Sequence, residues 1–571
     1  LTNVNGVLFF TANDGVHGTE LWKSDGSIAG TVMVKDINPR ASGSSPTYLT
    51  NFGGRLFFSA SDGVNGHEVW RSNGAVGNTN MLLDIFPGIV GSSSNSFTEA
   101  GGLLYFEADD GVNGEELWVT DGRAAGTVLL KDTWPGPNGF VSNITNVKGI
   151  ILFTASDGIN GIEIWRSNGT TGGTFMLKDI RPGLFGSTPR NFTNVKGVLY
   201  FSANDGTSGY ELWKSTGSAA NTVLVKDIQP GLGSSNPSYL TNVKGVVYFA
   251  AADDPFFSGN ELWKSNGSST GTTLIKDIAD GSYGFYSSDP HNLINANGTL
   301  MFAANNVVNG IEMWRSNGSA TGTVLVKDLN PGVNGSYPML PEKKSDQTLV
   351  NLNSTLFFVA NNGSTGFELW RSGIFGNTMF SVGDIRPGLP SATIERMTGV
   401  GTKLFFVADD GINGLELWVL KNPPPPPSMI LAPNEFPSDQ NVAPAGLDEA
   451  TVSQSSFWEK SHRWAMPLQR ATDDATKNRI GKPSQITLPG SPSDPTYPNL
   501  PANSIDALGQ LAAFANNAAN QTPVVSPTSS TTTPRRREVA DSGIDTERNQ
   551  WHDLDHCFVE LAETMPNLLE D

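Results

Sequence analysis

At 571 residues the chain is too long for one ordinary hydrophobic core, which leaves several domains or a repeat array. With 63 Gly, 35 Pro, 38% hydrophobic and 16% charged residues, the composition describes many short strands and turns rather than helical bundles. The net charge of -19 gathers no basic face, so a phosphate backbone would be repelled and nucleic-acid binding is excluded as a function class.

The chain begins at Leu1 inside a repeat, which reads as a mature or truncated product. From there a Glu-aliphatic-Trp landmark recurs at Trp22, Trp70, Trp118, Trp165, Trp213, Trp263, Trp314, Trp370 and Trp418, in steps of 47 to 56 residues. A period near fifty points to stacked copies of one supersecondary unit. Each unit reads as four short β segments. In 31–70 these are Thr-Val-Met-Val-Lys-Asp-Ile, Tyr-Leu-Thr-Asn, Leu-Phe-Phe-Ser-Ala and Glu-Val-Trp-Arg, divided by Gly, Pro and Asp-Gly punctuation that gives an antiparallel meander.

Val7, Phe9 and Thr11 alternate with Leu8, Phe10 and Ala12, so both faces of this strand are largely apolar. A sheet with one wet face would alternate apolar with polar; a sheet buried on both faces must be sandwiched by like sheets. Four-stranded blades around an axis satisfy that requirement, and the fold expected is an all-β propeller over 1–421.

Around each Trp stands the constellation Ala12-x-Asp14-Gly-x-x-Gly18-x-Glu20-x-Trp22, repeated as Ala60, Asp62, Gly66, Glu68, Trp70 and again as Ala408, Asp410, Gly414, Glu416, Trp418. It resembles the tryptophan-docking motif of the quinoprotein family of eight-bladed propellers. More closely, Glu20-Leu-Trp-Lys-Ser-Asp-Gly-Ser and Glu116-Leu-Trp-Val-Thr-Asp-Gly-Arg resemble the bacterial-type ELWxxDGT repeat family over 1–421. The resemblance implies a surface or secreted propeller, with the nine landmark Trp residues as structural wedges between blades. By the quinoprotein analogy the Trp strand is outermost and the Thr-Val-x-Val-Lys-Asp-Ile strand opens the next blade at the axis. Counting so gives eight complete blades from about 31 to 421 after an incomplete one at 1–24. Eight in the ring is the expected number, with nine as the alternative.

Chemistry enters weakly. The repeats hold no Cys, whereas a quinone-dependent dehydrogenase usually sets a vicinal disulfide against its cofactor, and no cofactor is expected. Asp14, Asp62, Asp110, Asp157, Asp205 and Asp410 sit in Gly-rich turns of the kind that bind calcium; the competing role is to cap the hairpin turn. Asp36, Asp84, Asp132, Asp179, Asp227, Asp277, Asp328 and Asp384, each ending the strand assigned to the axis, would ring the channel or bond the turn that follows. Residues that break the repeat are better site candidates. Trp134, Phe140, Tyr283, Phe285, Tyr286 and Tyr337 decorate the long loops after the Lys-Asp-Ile strand, all on one rim, where they could hold a glycan or a protein ligand. Ten Asn-x-Ser/Thr sequons, Asn143 and Asn191 among them, agree with an extracellular or cell-surface glycoprotein.

After Trp418 the pattern stops. Residues 422–427 carry a polyproline linker, and 428–571, rich in Pro, Ser, Thr, Asn and Ala, reads as a mostly disordered tail. Leu554, Phe558, Leu561 and Met565 give a helical period over 549–569, where His552, His556 and Cys557 have a spacing that can bind zinc or simply lie along an exposed helix. No apolar run reaches the roughly eighteen residues that span a bilayer. The function expected is a non-enzymatic adhesion or binding scaffold; the alternatives are a hydrolase or oxidoreductase with an axial site and a calcium-stabilised structural array.

Overall fold

The computed structural model describes residues 1–423 except 40, 254–258, 280–286, 339–348, 374–377, 389 and 422. All of them belong to a unit spanning 1–470; the linker beyond Pro423, the tail and its expected helix lie outside the described residues.

The unit is a β-propeller of nine antiparallel sheets. Blades 1 to 8 cover 2–35, 47–83, 95–131, 141–178, 190–226, 238–276, 291–327 and 349–383, each with four strands in chain order. Blade 9, 393–420, has three. The first strands of successive blades lie against one another, which places them at the axis, and the first strand of blade 9 abuts that of blade 1. Thr398 Oγ1 donates to the Leu1 carbonyl at 3.2 Å across this junction, and Lys403 Nζ donates to the Asp25 carbonyl. No described helix is long and apolar enough to cross a membrane.

Nine blades, not eight, form the ring, and the boundary between blades falls elsewhere than expected. The Val32–Lys35 strand pairs back onto its own Trp strand, with Leu21 opposite Lys35 and Trp22 opposite Met33. It is therefore the outer strand of the same blade. A tight turn dictates the return: Asp25 Oδ1 accepts from Ser27 N, and the Ser24 and Thr31 hydroxyls meet at 2.6 Å across its base. The axial strand is the Tyr-Leu-Thr-Asn segment. Consequently Asp36 and its seven counterparts follow outer strands and do not line the channel.

Among the described residues each of the nine junctions holds its own apolar cluster. Between blades 1 and 2 this is Val4, Phe9, Leu21, Val34 and Ile37 against Leu56, Phe58, Ala60 and Trp70. Both faces of the second strand are used, as its pattern demands. The landmark indoles from Trp22 to Trp370 are at most 8% exposed, whereas Trp418 in the three-stranded blade is only half-buried. Five junctions add a cation–π contact from the outer-strand lysine. Lys35 Nζ, for example, stands 5.6 Å from the centre of the Trp70 ring and donates to the Thr79 carbonyl at 3.0 Å.

The carboxylate two residues before each Trp is the hub. Glu20 is fully buried and accepts from Ile37 N, Asn38 N, Ser44 N and Ser44 Oγ at 2.6–3.1 Å. Those donors all lie in the connector that leaves blade 1 and enters blade 2. Glu68, Glu163 and Glu211 repeat the set of four, and Glu116 replaces the distant Ser with the Thr133 hydroxyl. Backbones must touch for this. A Cβ on Gly66 would stand 2.4 Å from Gly91 N, and both glycines hold positive φ, so the second Gly of the hairpin turn and the Gly of the connector are sterically required.

Replacing Glu211 by Ala strands the donors of Ile228, Gln229 and Ser235 in the interior. The expected cost is about 3–5 kcal/mol, against under about 1 kcal/mol for Glu416→Ala, which lies half-buried in the three-stranded blade. Denaturant midpoints of the two variants check the contrast.

Candidate functional site

Antiparallel pairing puts two kinds of turn at each end of the blades. One end carries the Asp-Gly hairpin tips, the connectors and the starts of the axial strands; the other carries the tight turns before the outer strands. The first, the connector face, holds every described residue singled out as a ligand or metal candidate.

Asp14, Asp62, Asp110, Asp157, Asp205 and Asp410 all cap hairpin tips. Asp62 Oδ1 accepts from Val64 N and Asn65 N at 2.9 and 2.8 Å while Oδ2 accepts from Asn65 Nδ2, and Asp110, Asp157 and Asp410 copy this arrangement. Asp205 uses Thr207 and Ser208 in the same way. Burial raises the pKa of Asp62, Asp110, Asp157 and Asp205, but the hydrogen-bond donors together outweigh it and hold these carboxyls below the usual carboxylate range. The backbone N–H of His17 holds Asp14 at about 2, and Asp14 in turn raises His17. Among the described residues no three His, Cys, Asp or Glu side chains converge as a metal site would require.

Of the aromatic candidates, Trp134 is half-buried, its indole pressed on the next blade's hairpin tip: a Cβ on Gly158 would stand 2.5 Å from its Nε1. Asn38, Phe86, Arg181, Asn330 and Arg386 make the same approach to Gly63, Gly111, Gly206, Gly363 and Gly411, so this is a repeated packing position that blade 3 fills with an indole. Phe140 is exposed, and its carbonyl accepts from Ser156 N. Tyr337 is 44% exposed with φ 45°. Trp134 and Phe140 belong to the connector after blade 3 and Tyr337 to the one after blade 7, so the fold does not bring them together. Tyr283, Phe285 and Tyr286 lie outside the described residues.

Three features escaped the sequence reading. First, a belt of side chains links the axial strands. Thr2, Thr193 and Thr241 donate forward to the carbonyls of Leu49, Leu240 and Leu293, and Asn51, Asn194 and Asn295 donate backward to those of Asn3, Asn146 and Asn242. The recurring Thr-Asn pair was its only signal. Second, the axial strands bulge near their starts, where Tyr48, Ser96, Asn143, Asn191, Tyr239, Asn292 and Arg396 all take φ between 53° and 59°. Left-handed backbone at seven equivalent non-Gly positions, two of them Tyr, encircles the channel mouth on the connector face. Those residues differ from blade to blade. Tyr239 packs 6.3 Å from the His291 ring, and nearby Arg190 stacks 4.1 Å over Tyr210.

Third, Glu107 replaces the Thr, Ser, Ala or Val that other blades carry on the second strand. It is 5% exposed beside Ser96, and burial, then the charge of Glu115, pushes its carboxyl up to about 8. It breaks the repeat singly, so it forms no motif.

No protein-family model matches the chain, and no curated protein matches it in sequence. Among solved structures the chain is similar to a prolyl endopeptidase, at TM-score 0.35 and 10% identity over 57% of this chain and 50% of that one. It is also similar to puromycin hydrolase, at TM-score 0.33 and 12% identity over 72% and 55%. A puromycin-hydrolysing peptidase of Mycobacterium tuberculosis matches at TM-score 0.33 and 10% identity over 58% and 52%. The chain spans about half the length of each.

The raised Glu107 carboxyl binds its proton more tightly in the folded chain than in the unfolded one. Its contribution is complete below the ordinary Glu value and is lost as pH rises from there through about 8. The melting temperature is therefore expected to fall between pH 5 and 8 by more in the wild type than in Glu107→Gln, measured by calorimetry across that range.

Proposed function

We propose that this propeller is a non-enzymatic binding scaffold, extracellular or at the cell surface, that takes a protein ligand on its connector face. One asymmetry carries the reading. Among the described residues, 17 of the 22 exposed large apolar side chains lie at the connector end of the blades. Val16, Val64, Val112, Ile159, Val308 and Ile412 stand on hairpin tips, with Leu415 at the start of the strand beyond the last of them. Ile89, Val90, Phe140, Leu184, Phe185, Leu232, Val333 and Tyr337 stand on connectors, and Tyr48 and Tyr239 at the axial bulges. The opposite face has Ile28 and Val76, and the outer strands have Val32, Val128 and Phe175.

Scattered exposed aliphatics are ordinary, but a set concentrated on one face is the signature of a docking surface. Phe185 at 82% and Leu232 at 81% exposure stand mostly in solvent, Phe185 with Arg181 5.4 Å over its ring. Aliphatic tips suit a protein surface better than a sugar, which asks for flat aromatic platforms and hydrogen-bonding side chains; the dispersed positions of Trp134, Phe140 and Tyr337 agree with that preference. The framework residues that recur in each blade are meanwhile occupied by structural contacts, which frees the tips and connectors to vary.

Replacing Ile89, Val90, Leu184 and Phe185 together by Ser is expected to abolish capture of surface or secreted protein partners by the immobilised chain, with its melting temperature unchanged. Glycan-array binding that survives the fourfold change would sink the protein reading in favour of a sugar ligand.

A further inference from the structure

The chain is acidic as a whole, but the fold sorts its charges. Carboxylates of the hairpin tips and those that follow the outer strands stand at the connector end, whereas the opposite end of blades 4 to 7, which carries the tight turns, has Lys and Arg and no Asp or Glu. Among the described residues the carboxylates of this turn face are Asp25, Glu99 and Asp121, all on blades 1 to 3. The expectation that no basic face gathers therefore fails for the folded chain, because a sum along the sequence conceals how the strands separate the signs. The cations form two concentric arcs. Nearer the axis, Lys148, Lys196 and Lys244 stand exposed in the turns between the first and second strands of blades 4, 5 and 6, with φ between 53° and 55°. Other blades place Gly or Asn at this left-handed position, as at Gly53, Gly101, Asn297 and Asn353, which the backbone prefers. Each lysine lies across the turn of the following blade: a Cβ on Gly197, Gly245 or Gly298 would collide with the side chain of Lys148, Lys196 or Lys244. Farther out, Arg166, Lys214 and Lys264 donate to the carbonyls of Gly217, Gly267 and Gly318 in the next blade's tight turn at 2.6–2.8 Å, and Arg315 holds the same place in blade 7. None of these cations pairs with a carboxylate among the described residues.

Equivalent residues of successive blades sit at one height along the axis, so each arc is level and the two together make an area of positive charge rather than a line. Strands of six or seven residues put about 20 Å between this area and the carboxylates of the connector face. That is more than twice the distance over which physiological salt screens a charge, so the face acts by its own sign. What it lacks narrows the partner. Its exposed large apolar side chains, Ile28 and Val76, belong to blades 1 and 2, so blades 4 to 7 offer neither the apolar centre of a protein interface nor a wedge to enter acyl chains. The exposed ring nearest to it, Phe175 on the outer strand of blade 4, stands 5.4 Å under Arg166, and the turns themselves present none on which a base would stack. A linear acidic polysaccharide needs a single row of cations, whereas two level rows suit a plane of anions. We propose that the turn face of blades 4 to 7 lies against an anionic lipid surface, held by charge without insertion. The connector face is then directed away from that surface, free for its own ligand.

The test is cosedimentation of the full chain with phosphatidylcholine vesicles containing about a third phosphatidylserine, in about 0.1 M NaCl. The chain is expected to bind them, to leave pure phosphatidylcholine alone and to dissociate in about 0.5 M NaCl. Each cation at such a surface is worth roughly fivefold in partitioning, so Lys148→Asn, Lys196→Asn and Lys244→Asn combined are expected to weaken binding by roughly a hundredfold. Asn297 and Asn353 show that the turn accepts Asn, and the melting temperature is expected to stay unchanged. Arg at the same three positions keeps the binding. Arg181→Gln, Arg190→Gln and Arg386→Gln on the connector face remove equal charge and are expected to leave it as it was. An equal loss from that control, a fall of less than about tenfold in the Asn variant, or equal binding to neutral vesicles overturns the proposal. Binding to soluble heparin with none to the vesicles overturns it in favour of an acidic polysaccharide.

Discussion

A carboxylate removed from water costs several kcal/mol unless donors replace its hydration. In this propeller that replacement is assigned to a loop that also builds the neighbouring blade. Glu20 is satisfied only when Ile37, Asn38 and Ser44 are in place, and Ser44 lies three residues before the axial strand of blade 2. The segment between sheets therefore cannot swing free without leaving a buried charge alone. Burial raises Glu116, Glu261 and Glu368 to about 7, against the pull of the donors that hold them. The Thr-Asn belt at the axis and the Lys–Trp contacts outside hold the same junctions at their two edges, and the apolar clusters fill what lies between.

Much of this was legible before any coordinates. The period, the short meander and the doubly apolar second strand specify blades, and Trp at each landmark specifies what is wedged between them. The blade boundary was not legible, because a repeat read along the chain looks the same wherever it is cut. Whether Val32–Lys35 closes one sheet or opens the next depends on the reversal at Asp25–Thr31, a matter of two hydroxyls and one carboxylate. That choice also moved Asp36 and its equivalents from the channel to the periphery and changed eight blades to nine.

Function was less legible than fold for a related reason. Trp134 stood out as a large aromatic in a variable loop, but the loop position is a packing position, shared with Asn38, Phe86 and Arg181, and only its size is unusual. The exposed aliphatics of the connector face were invisible in sequence because the same residue types make the core; Val64 on a hairpin tip and Val69 in a strand differ only in which way the backbone turns them. Glu107 was hidden by the opposite effect, one acid among many in an acidic chain, distinguished only by its burial.

The left-handed residues at the starts of the axial strands have a further consequence. A bulge takes one residue out of the regular register of the ladder, so its side chain leaves the strict alternation between core and solvent. Tyr48, Ser96, Asn143, Asn191, Tyr239, Asn292 and Arg396 are in that position around a single opening. These residues differ from blade to blade while the girdle of Trp and Glu recurs, so the ring presents a different combination of chemistries at each point of its circumference over one repeated frame. Each blade has its own sequence, so no rotation about the axis forces any two of those points to match.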